Sequence, residues 1–290
     1  MSEIKKNDFP LNEADHWLLA NWLQIEEVLA ILFLGRSGTV FLGSLLDNHP
    51  QVMMLPGAHL SLYEDFWETK GSKASALEII IREFCAYFAF FFDVYAYSPV
   101  IIGDQPACYL GLDKMGLERK ERAEIDKTKF ISVLYLILSD ISSVDRKTFF
   151  QAIHIAFTIT VGRSEQLDRT RLPIIIYALH QNAFSSVNKL CSDFPKTKMI
   201  HMIREPLQAM GSHFKTDSYC CHIMRDFFFE AFPKAGIERS RGLKLEDLHI
   251  QPKCVLKKLI QWVGIEWSNT LLESTFNGKK WWNMKVSEQL

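Results

Sequence analysis

The chain has 290 residues, 48% of them hydrophobic and 23% charged, and it carries a formal net charge of −1. This composition is that of a globular protein long enough to bury a core without disulfide or metal staples. The near-zero net charge gives no sign of a nucleic-acid partner or of general binding to acidic surfaces, and we expect none.

Short apolar runs alternate with longer helical patterns. After an N-terminal extension (1–26), the strand candidates are 28–34, 52–55, 100–103, 173–179, 199–203 and 243–245. None alternates cleanly between apolar and polar residues, which favours a parallel sheet with both faces covered. Residues 60–170 form a mostly helical insertion region, and no repeat or low-complexity linker divides the chain. The sequence therefore predicts a single α/β domain over residues 1–290, with a parallel β-sheet flanked by helices and with helical insertions.

Three helices carry clear start or stop signals. A helix after residue 38 stops before the Asn-His-Pro triplet at 48–50. Its apolar face consists of Phe41, Leu42, Leu45 and Leu46. A second helix begins at Pro206 and a third runs from Pro252 to Gly264, because proline is favoured in a first turn and glycine at a C-cap.

The segment 77–98 is strongly apolar and aromatic. Arg82, Glu83 and Asp93 interrupt it before a bilayer-length run is reached. A membrane-associated lid is the alternative, but we favour a buried core helix.

Residues 35–39 read GRSGT and join the first apolar strand to its helix. Gly35 and Gly38 permit unusual backbone angles, so successive N–H groups can turn toward an anion at the positive end of the helix. The hydroxyls of Ser37 and Thr39 add donors, and Arg36 adds a permanent charge suited to a tetrahedral anion. A sheet with such a loop after its first strand is P-loop-like. The loop nevertheless lacks the lysine and the residue spacing of the Walker pattern. An ordinary strand-to-helix turn with a solvated arginine is the alternative.

A second polar segment follows the 199–203 strand. Arg204 comes directly after the strand, and Ser212 lies eight residues further on, in the predicted helix. A guanidinium and a hydroxyl placed in this way can hold one phosphate from two sides. Taken alone the pattern is weak, because Arg204 can equally pair with Glu205.

The two segments, in this order, resemble the sulfotransferase family that uses 3′-phosphoadenosine 5′-phosphosulfate (PAPS). LGRSGTVFLGSLLDNHPQV (34–52) is similar to the family's 5′-phosphosulfate loop, in the RSGT form of its carbohydrate, tyrosyl-protein and bacterial members. REPLQAMGSHF (204–214) is similar to its 3′-phosphate segment, and 243–265 and 273–282 resemble later segments. The resemblance runs from about residue 28 to 282 with a poorly matched middle, and its paired motifs are specific at the level of the superfamily.

The resemblance implies an enzyme that transfers a sulfuryl group from PAPS to an acceptor hydroxyl or amine. It implies that Arg36 contacts the phosphosulfate and stabilises the leaving 5′-phosphate, and that Arg204 and Ser212 hold the 3′-phosphate. Donors around the phosphosulfate would come from Ser37, Gly38, Thr39 and Val40. A sulfuryl group carries less charge than a phosphoryl group, so we expect PAPS as co-substrate and no metal ion.

Transfer to an alcohol also needs a base near the acceptor hydroxyl. His180 ends the 173–179 run, at the place where cytosolic members of the family carry a histidine, so the resemblance implies that it is the base. Other branches use a glutamate after the first helix, where this chain has Glu64 and Asp65 with His59 nearby. A structural role for His180 is the remaining alternative. His154, on an apolar helix pattern, is interpreted as a satisfied core histidine.

Other polar positions have weaker claims. Asp104 ends an apolar run, where a nucleotide hydrolase would hold Mg²⁺. Lys279 and Lys280 lie where cytosolic members of the family have a late basic loop that reaches the nucleotide. The RKG triplet of that loop is missing here, which favours a solvated basic turn. Trp281 and Trp282 can stack on a base or sugar, although a hydrophobic anchor is favoured.

Two other functions stay open. A P-loop kinase or NTPase would use Mg-ATP, and the missing Walker lysine counts against it. A sulfotransferase-like binding protein without activity would not need Arg36 and Arg204. The expected partner is a small-molecule or glycan acceptor, whose identity the sequence does not reveal, and the oligomeric state is equally open.

The expected location is cytoplasmic. The six cysteines include no CxxC pair, and no histidine stands at zinc-ligand spacing. The N-terminal residues lack the apolar core of a secretory signal, and we expect no stable membrane insertion.

Overall fold

A computed structural model describes residues 9–33, 37–56, 59–97, 106–180, 184–205, 207–209 and 237–282. Eight of these residues are described by their backbone alone: Phe33, His59, Ala107, Tyr109, His180, Phe184, Ser185 and Ile237. Its strands are β1 (Val28–Phe33), β2 (Val52–Met54), β3 (Ile174–His180), β4 (Lys198–Ile203), β5 (Ser240–Lys244), β6 (Thr275–Phe276) and β7 (Lys279–Lys280). Its helices are α1 (Glu13–Asn21), α2 (Thr39–Leu46), α3 (Tyr63–Thr69), α4 (Leu77–Tyr87), α5 (Lys127–Leu138), α6 (Arg146–Thr160), α7 (Phe184–Asp193), α8 (Leu245–Ile250) and α9 (Pro252–Val263).

Five of the strands form one parallel sheet in the order β2-β3-β1-β4-β5. The central strand β1 has four successive residues, 29–32, that are at most 1% exposed. Because successive side chains of a strand point to opposite faces, both faces of the sheet are covered. The predicted α/β fold with a parallel, helix-flanked sheet is confirmed.

Most predicted elements lie where the sequence placed them. β1 to β4 match the candidates 28–34, 52–55, 173–179 and 199–203 to within one residue at each end, as far as the chain is described. Helices α2 and α9 have the predicted starts and stops, and Gly264 caps α9. Residues 207–209 are helical, whereas Pro206 and the candidate strand 100–103 lie outside the described residues.

The prediction for the last strand was wrong in its boundaries. β5 covers Ser240–Lys244, and Leu245 begins helix α8 instead of ending the strand. The first three residues of β5 are polar or glycine and are not buried, as is usual on an edge strand, so apolar runs could not reveal them. Glu246 and Asp247 lie in the first turn of α8, where acidic side chains favour a helix start.

The apolar segment 77–98 contributes α4 to the core. Phe84 of α4 lies edge-on to Phe66 and Phe149, with ring centroids 5.5 and 5.6 Å apart. All three rings are fully buried, as the core-helix interpretation predicts, while Tyr95 and Tyr97 beyond the helix are about half exposed. Among the described residues, none of the helices has both the length and the apolar character needed to cross a bilayer.

Candidate functional site

The strand order creates a crevice at the carboxyl edge of the sheet. The chain leaves β1 for β2 on one side and leaves β4 for β5 on the other, although β1 and β4 are neighbours. Ligands of open parallel sheets bind at such a switch point, because the loops diverge and leave space between them. Phe33, the last residue of β1, pairs with Met202 of β4 and with His180 of β3. The segments after β1, β3 and β4 therefore begin side by side.

The first of these segments leads into α2. Ser37 and Thr39 are both buried, and their hydroxyl oxygens lie 3.5 Å apart. That distance is long for an O–H···O hydrogen bond, so each hydroxyl keeps most of its capacity for a third group. No side chain among the described residues caps α2 at Gly38, and its first N–H groups point toward the crevice edge. Arg36 lies outside the described residues.

Gly38 has a geometric reason to be glycine. Its φ of +88° is left-handed, and a Cβ there would lie 2.9 Å from Leu245 Cδ2 and closer still to Cδ1. Any other residue at position 38 would therefore have a strained backbone, and its Cβ would overlap the Leu245 side chain of α8 unless that side chain moved. The Leu245 side chain of α8 therefore packs against the backbone of Gly38.

The second segment follows β4. Arg204 is half-buried one residue past the strand, and Glu205 starts a helical turn. The Glu205 carboxylate accepts the N–H of Gln208 at 2.7 Å, and its carbonyl accepts the N–H of Ala209 at 2.9 Å. This is an N-cap, which keeps a helix N-terminus at the same edge as α2. Ser212 lies outside the described residues.

The start of α8 adjoins both segments. Glu246 Oε1 accepts a hydrogen bond from the N–H of Glu205 at 3.0 Å. This bond first, and then the Arg204 and Lys244 charges, hold the pKa of Glu246 below its usual value. Further along, the ring of His249 stacks on Phe41 of α2 with centroids 4.8 Å apart. Sequence reasoning missed Glu246 as a site residue, and the acidic pair directly after a strand was the signal that marked this helix start.

His180 is the last residue of β3, so its backbone lies at the carboxyl edge beside β1. The competing candidate Glu64 lies elsewhere. Its carboxylate is 3.4 Å from Arg146, which also bonds Asp193 at the far end of α7. Because α7 starts after β3 and ends at Asp193, Arg146 links Glu64 to the end of α7 that is distant from the carboxyl edge.

The chemistry around Glu64 is that of a structural cluster. Burial raises its pKa to about 7, and the Arg146 and Lys189 charges oppose that rise. Arg146 is itself held by Asp193 through two bonds of 2.7 and 2.9 Å. Asp65 points away from this cluster and accepts the Tyr87 hydroxyl. The backbone of His180 thus lies at the same edge as Ser37 and Arg204. The Glu64 and Asp65 carboxylates contact Arg146 and Tyr87.

The remaining candidates have structural surroundings or lie outside the description. Lys279 bonds the carbonyl of Arg122 at 2.9 Å, at the far end of α2 from Gly38. The Trp281 indole is buried and donates to Leu110 O at 2.8 Å, as expected of an anchor. Asp104 falls outside the described residues.

His154 is buried as predicted, but its hydrogen bonding is only half satisfied. Nδ1 bonds the carbonyl of Phe150 at 2.7 Å, and Nε2 has no hydrogen-bond partner among the described residues. Burial lowers the pKa of His154 to about 4, so the ring is neutral at physiological pH.

A cradle of this kind suits a phosphate or sulfate ester. It combines two hydroxyls and an uncapped helix N-terminus on one strand with an arginine on the next. Across the described ranges, no group of three or more His, Cys, Asp or Glu side chains is placed to hold a metal ion.

No protein-family model matches the chain, and a search of curated proteins gives no significant match. Among solved structures, a sulfotransferase domain from the curacin biosynthetic pathway is 15% identical with a TM-score of 0.48, over 86% of this chain and 77% of that one. A sulfotransferase domain from the Synechococcus PCC 7002 olefin synthase is 14% identical with a TM-score of 0.41, over 85% of this chain and 76% of that one. The sulfotransferase STF1 from Mycobacterium tuberculosis H37Rv is 11% identical with a TM-score of 0.42, over 89% and 74% of the two chains. At such identities and TM-scores the likeness assigns no activity.

Proposed function

We propose that the protein is a sulfotransferase that transfers a sulfuryl group from PAPS to an acceptor hydroxyl or amine. The observation that carries the proposal is the pairing of β1 with β4, which sets the Ser37–Thr39 hydroxyls and Arg204 at one switch point. A nucleotide with anionic groups at both its 5′ and 3′ positions matches two anion cradles on neighbouring strands. ATP lacks the 3′ group and gives Arg204 no phosphate of its own.

In this proposal the two cradles have different tasks. The start of α2, with the Ser37 and Thr39 hydroxyls and the backbone through Val40, holds the 5′-phosphosulfate together with Arg36. Arg204 and Ser212 hold the 3′-phosphate. The oxygen of the acceptor forms a bond to sulfur while the bond from sulfur to the 5′-phosphate oxygen breaks. His180 takes the acceptor proton, and 3′,5′-ADP leaves.

Calorimetry without magnesium tests the proposal. We expect 3′,5′-ADP to bind and to raise the melting temperature, and 5′-AMP to bind more weakly because it leaves Arg204 without a phosphate. Binding of Mg-ATP in preference to 3′,5′-ADP would instead support a P-loop kinase or NTPase. Binding of 3′,5′-ADP without any sulfuryl transfer from labelled PAPS across an acceptor panel would support a binding protein.

Three substitutions separate the proposed roles. We expect Arg36→Ala to abolish turnover, and Arg204→Ala to act mainly on PAPS affinity. His180→Ala should reduce turnover while 3′,5′-ADP affinity stays within about twofold, and near-normal turnover would rule it out as the base.

A further inference from the structure

The first turn of α8 contacts both segments to which the proposed function assigns the nucleotide. The Leu245 side chain fills the space beside Gly38, in the loop after β1. The next residue, Glu246, accepts the N–H of Glu205 at 3.0 Å, in the segment after β4. Two successive residues of α8 thus contact the two segments that form the proposed anion sites.

Glu246 accepts its hydrogen bond from Glu205, the residue that directly follows Arg204. Glu205 also begins the helical turn that continues through 207–209, because it accepts the N–H groups of Gln208 and Ala209. The hydrogen bond from the Glu205 N–H places the Glu246 carboxylate beside the residue that follows Arg204. In keeping with this position, the Arg204 charge contributes to lowering the pKa of Glu246. The backbone on the C-terminal side of Arg204 is therefore fixed through Glu246.

We propose that Glu246 is a positioning residue for Arg204. By holding the Glu205 N–H it sets the direction from which the Arg204 guanidinium meets the 3′-phosphate, and Leu245 sets the position of the other cradle from the same turn. The proposal rests on the proposed function, because the 3′-phosphate is its ligand.

A carboxylate near an anion site also has an opposing effect, since its charge repels a phosphate. Glu246 is partly exposed, so water and salt screen that repulsion, whereas the hydrogen bond to Glu205 is direct. We therefore expect the positioning effect to dominate. Glutamine keeps the accepting oxygen and removes the charge, so it separates the two effects.

The ligand experiment compares 3′,5′-ADP with 5′-AMP by calorimetry in Glu246→Ala, Glu246→Gln and the wild-type protein. The ratio of the two affinities measures the grip on the 3′-phosphate. We expect Glu246→Ala to lower this ratio about tenfold, and Glu246→Gln to stay within about threefold of wild type. Asp247→Ala, an exposed neighbour in the same turn, should leave the ratio unchanged. A ratio that is unchanged or raised in Glu246→Ala overturns the positioning role.

A second readout needs no ligand. Amide hydrogen exchange, followed by NMR, should be faster at the Glu205 N–H in Glu246→Ala but not in Asp247→Ala. If the wild-type protein binds 3′,5′-ADP but Glu205 exchange is unchanged in Glu246→Ala, the positioning role fails and the proposed function stands. If Glu205 exchange responds but the wild-type protein does not bind 3′,5′-ADP, the proposed function fails, and the role of Glu246 toward a phosphate fails with it.

Discussion

The two edges of the parallel sheet use their polar residues differently. Near the amino edge, buried charges bind one another: Asp47 is 3.4 Å from Arg163, and both side chains are almost completely buried. Asp47 also accepts the N–H groups of Asn277 and Gly278 at 3.2 and 3.0 Å. At the carboxyl edge, the described groups include two weakly bonded hydroxyls, an uncapped helix start, Arg204 and the hydrogen-bonded Glu246.

This contrast separates stability from function on one sheet. A charge that is saturated by protein partners, such as Asp47, has no capacity left for a ligand. Hydroxyls and N–H groups that are incompletely used at a switch point remain available to one. Substitutions of the saturated charges at the amino edge should therefore lower the free energy of unfolding. Substitutions of Ser37, Thr39 or Arg204 at the carboxyl edge should act mainly on nucleotide binding.

The largest effect is expected at the amino edge, for Arg163→Met. The change leaves the Asp47 carboxylate buried without its cation, so we expect a loss of about 3–5 kcal/mol in the free energy of unfolding. Urea denaturation measures it. Lys120→Met, which breaks an exposed pair with Glu118, is the control and should cost less than about 1 kcal/mol. Equal losses in the two variants would show that the buried Asp47–Arg163 pair matters no more to stability than an exposed pair.

A smaller effect is expected for Gly38→Ala at the carboxyl edge. Gly162→Ala is a matched control, because Gly162 has a similar φ of +74° with no atom within 4 Å of an added Cβ. Backbone strain should cost about 1–2 kcal/mol in both variants, and overlap with Leu245 should add about 1–3 kcal/mol at Gly38 alone. Adding Leu245→Ala should remove part of that excess. Identical stabilities for the two alanine variants would show that α8 does not press on the loop.

The pH dependence of stability should report on His154. Its pKa is about 4 when folded against 6.5 as an ordinary value, so the unfolded chain binds the proton first as pH falls. Stability is then full above about 6.5 and is lost toward pH 4, by up to about 1.4 kcal/mol per pH unit. Glu64, with its pKa raised to about 7, has the opposite effect: between pH 4.5 and 7 its contribution to stability falls as pH rises.

Denaturation of His154→Leu at several pH values isolates the effect of the histidine. The difference in the free energy of unfolding between this variant and the wild-type protein should shrink as pH falls. A difference that stays constant would mean that His154 titrates normally.

The smallest effect is expected for Lys279→Ala. Lys279 pairs with Glu121 at 3.5 Å, with both side chains at least one third exposed, so the loss of stability should be below about 1 kcal/mol. Because the hairpin contacts the far end of α2, 3′,5′-ADP affinity should stay within about twofold of wild type. A tenfold loss of that affinity would move Lys279 into the nucleotide site.

Much of the fold could be predicted from the sequence, because buried parallel strands are continuous apolar runs that need no long-range knowledge. The edge strand β5 could not, since Ser240, Arg241 and Gly242 carry no apolar signal. The order of the strands in the sheet could not be predicted either, because it depends on how the connecting helices pack. This order makes β1 and β4 neighbours and so brings the Ser37 loop close to Arg204. The contact between Glu64 and Arg146 could not be read from the sequence either, because the two residues are remote in the chain.

The bond network of Asp47 has a consequence for how the chain folds. The Asp47 carboxylate accepts hydrogen bonds from the Thr275 hydroxyl and the Gly278 N–H, which lie 228 and 231 residues further along the chain. Closing so long a loop costs entropy before any contact offsets it, and contacts of this range slow folding. During synthesis the Asp47 carboxylate cannot make these hydrogen bonds until residues 275–278 have left the ribosome. We expect this closure to be among the last steps of folding, so that truncation before Thr275 leaves an intermediate with an incomplete core.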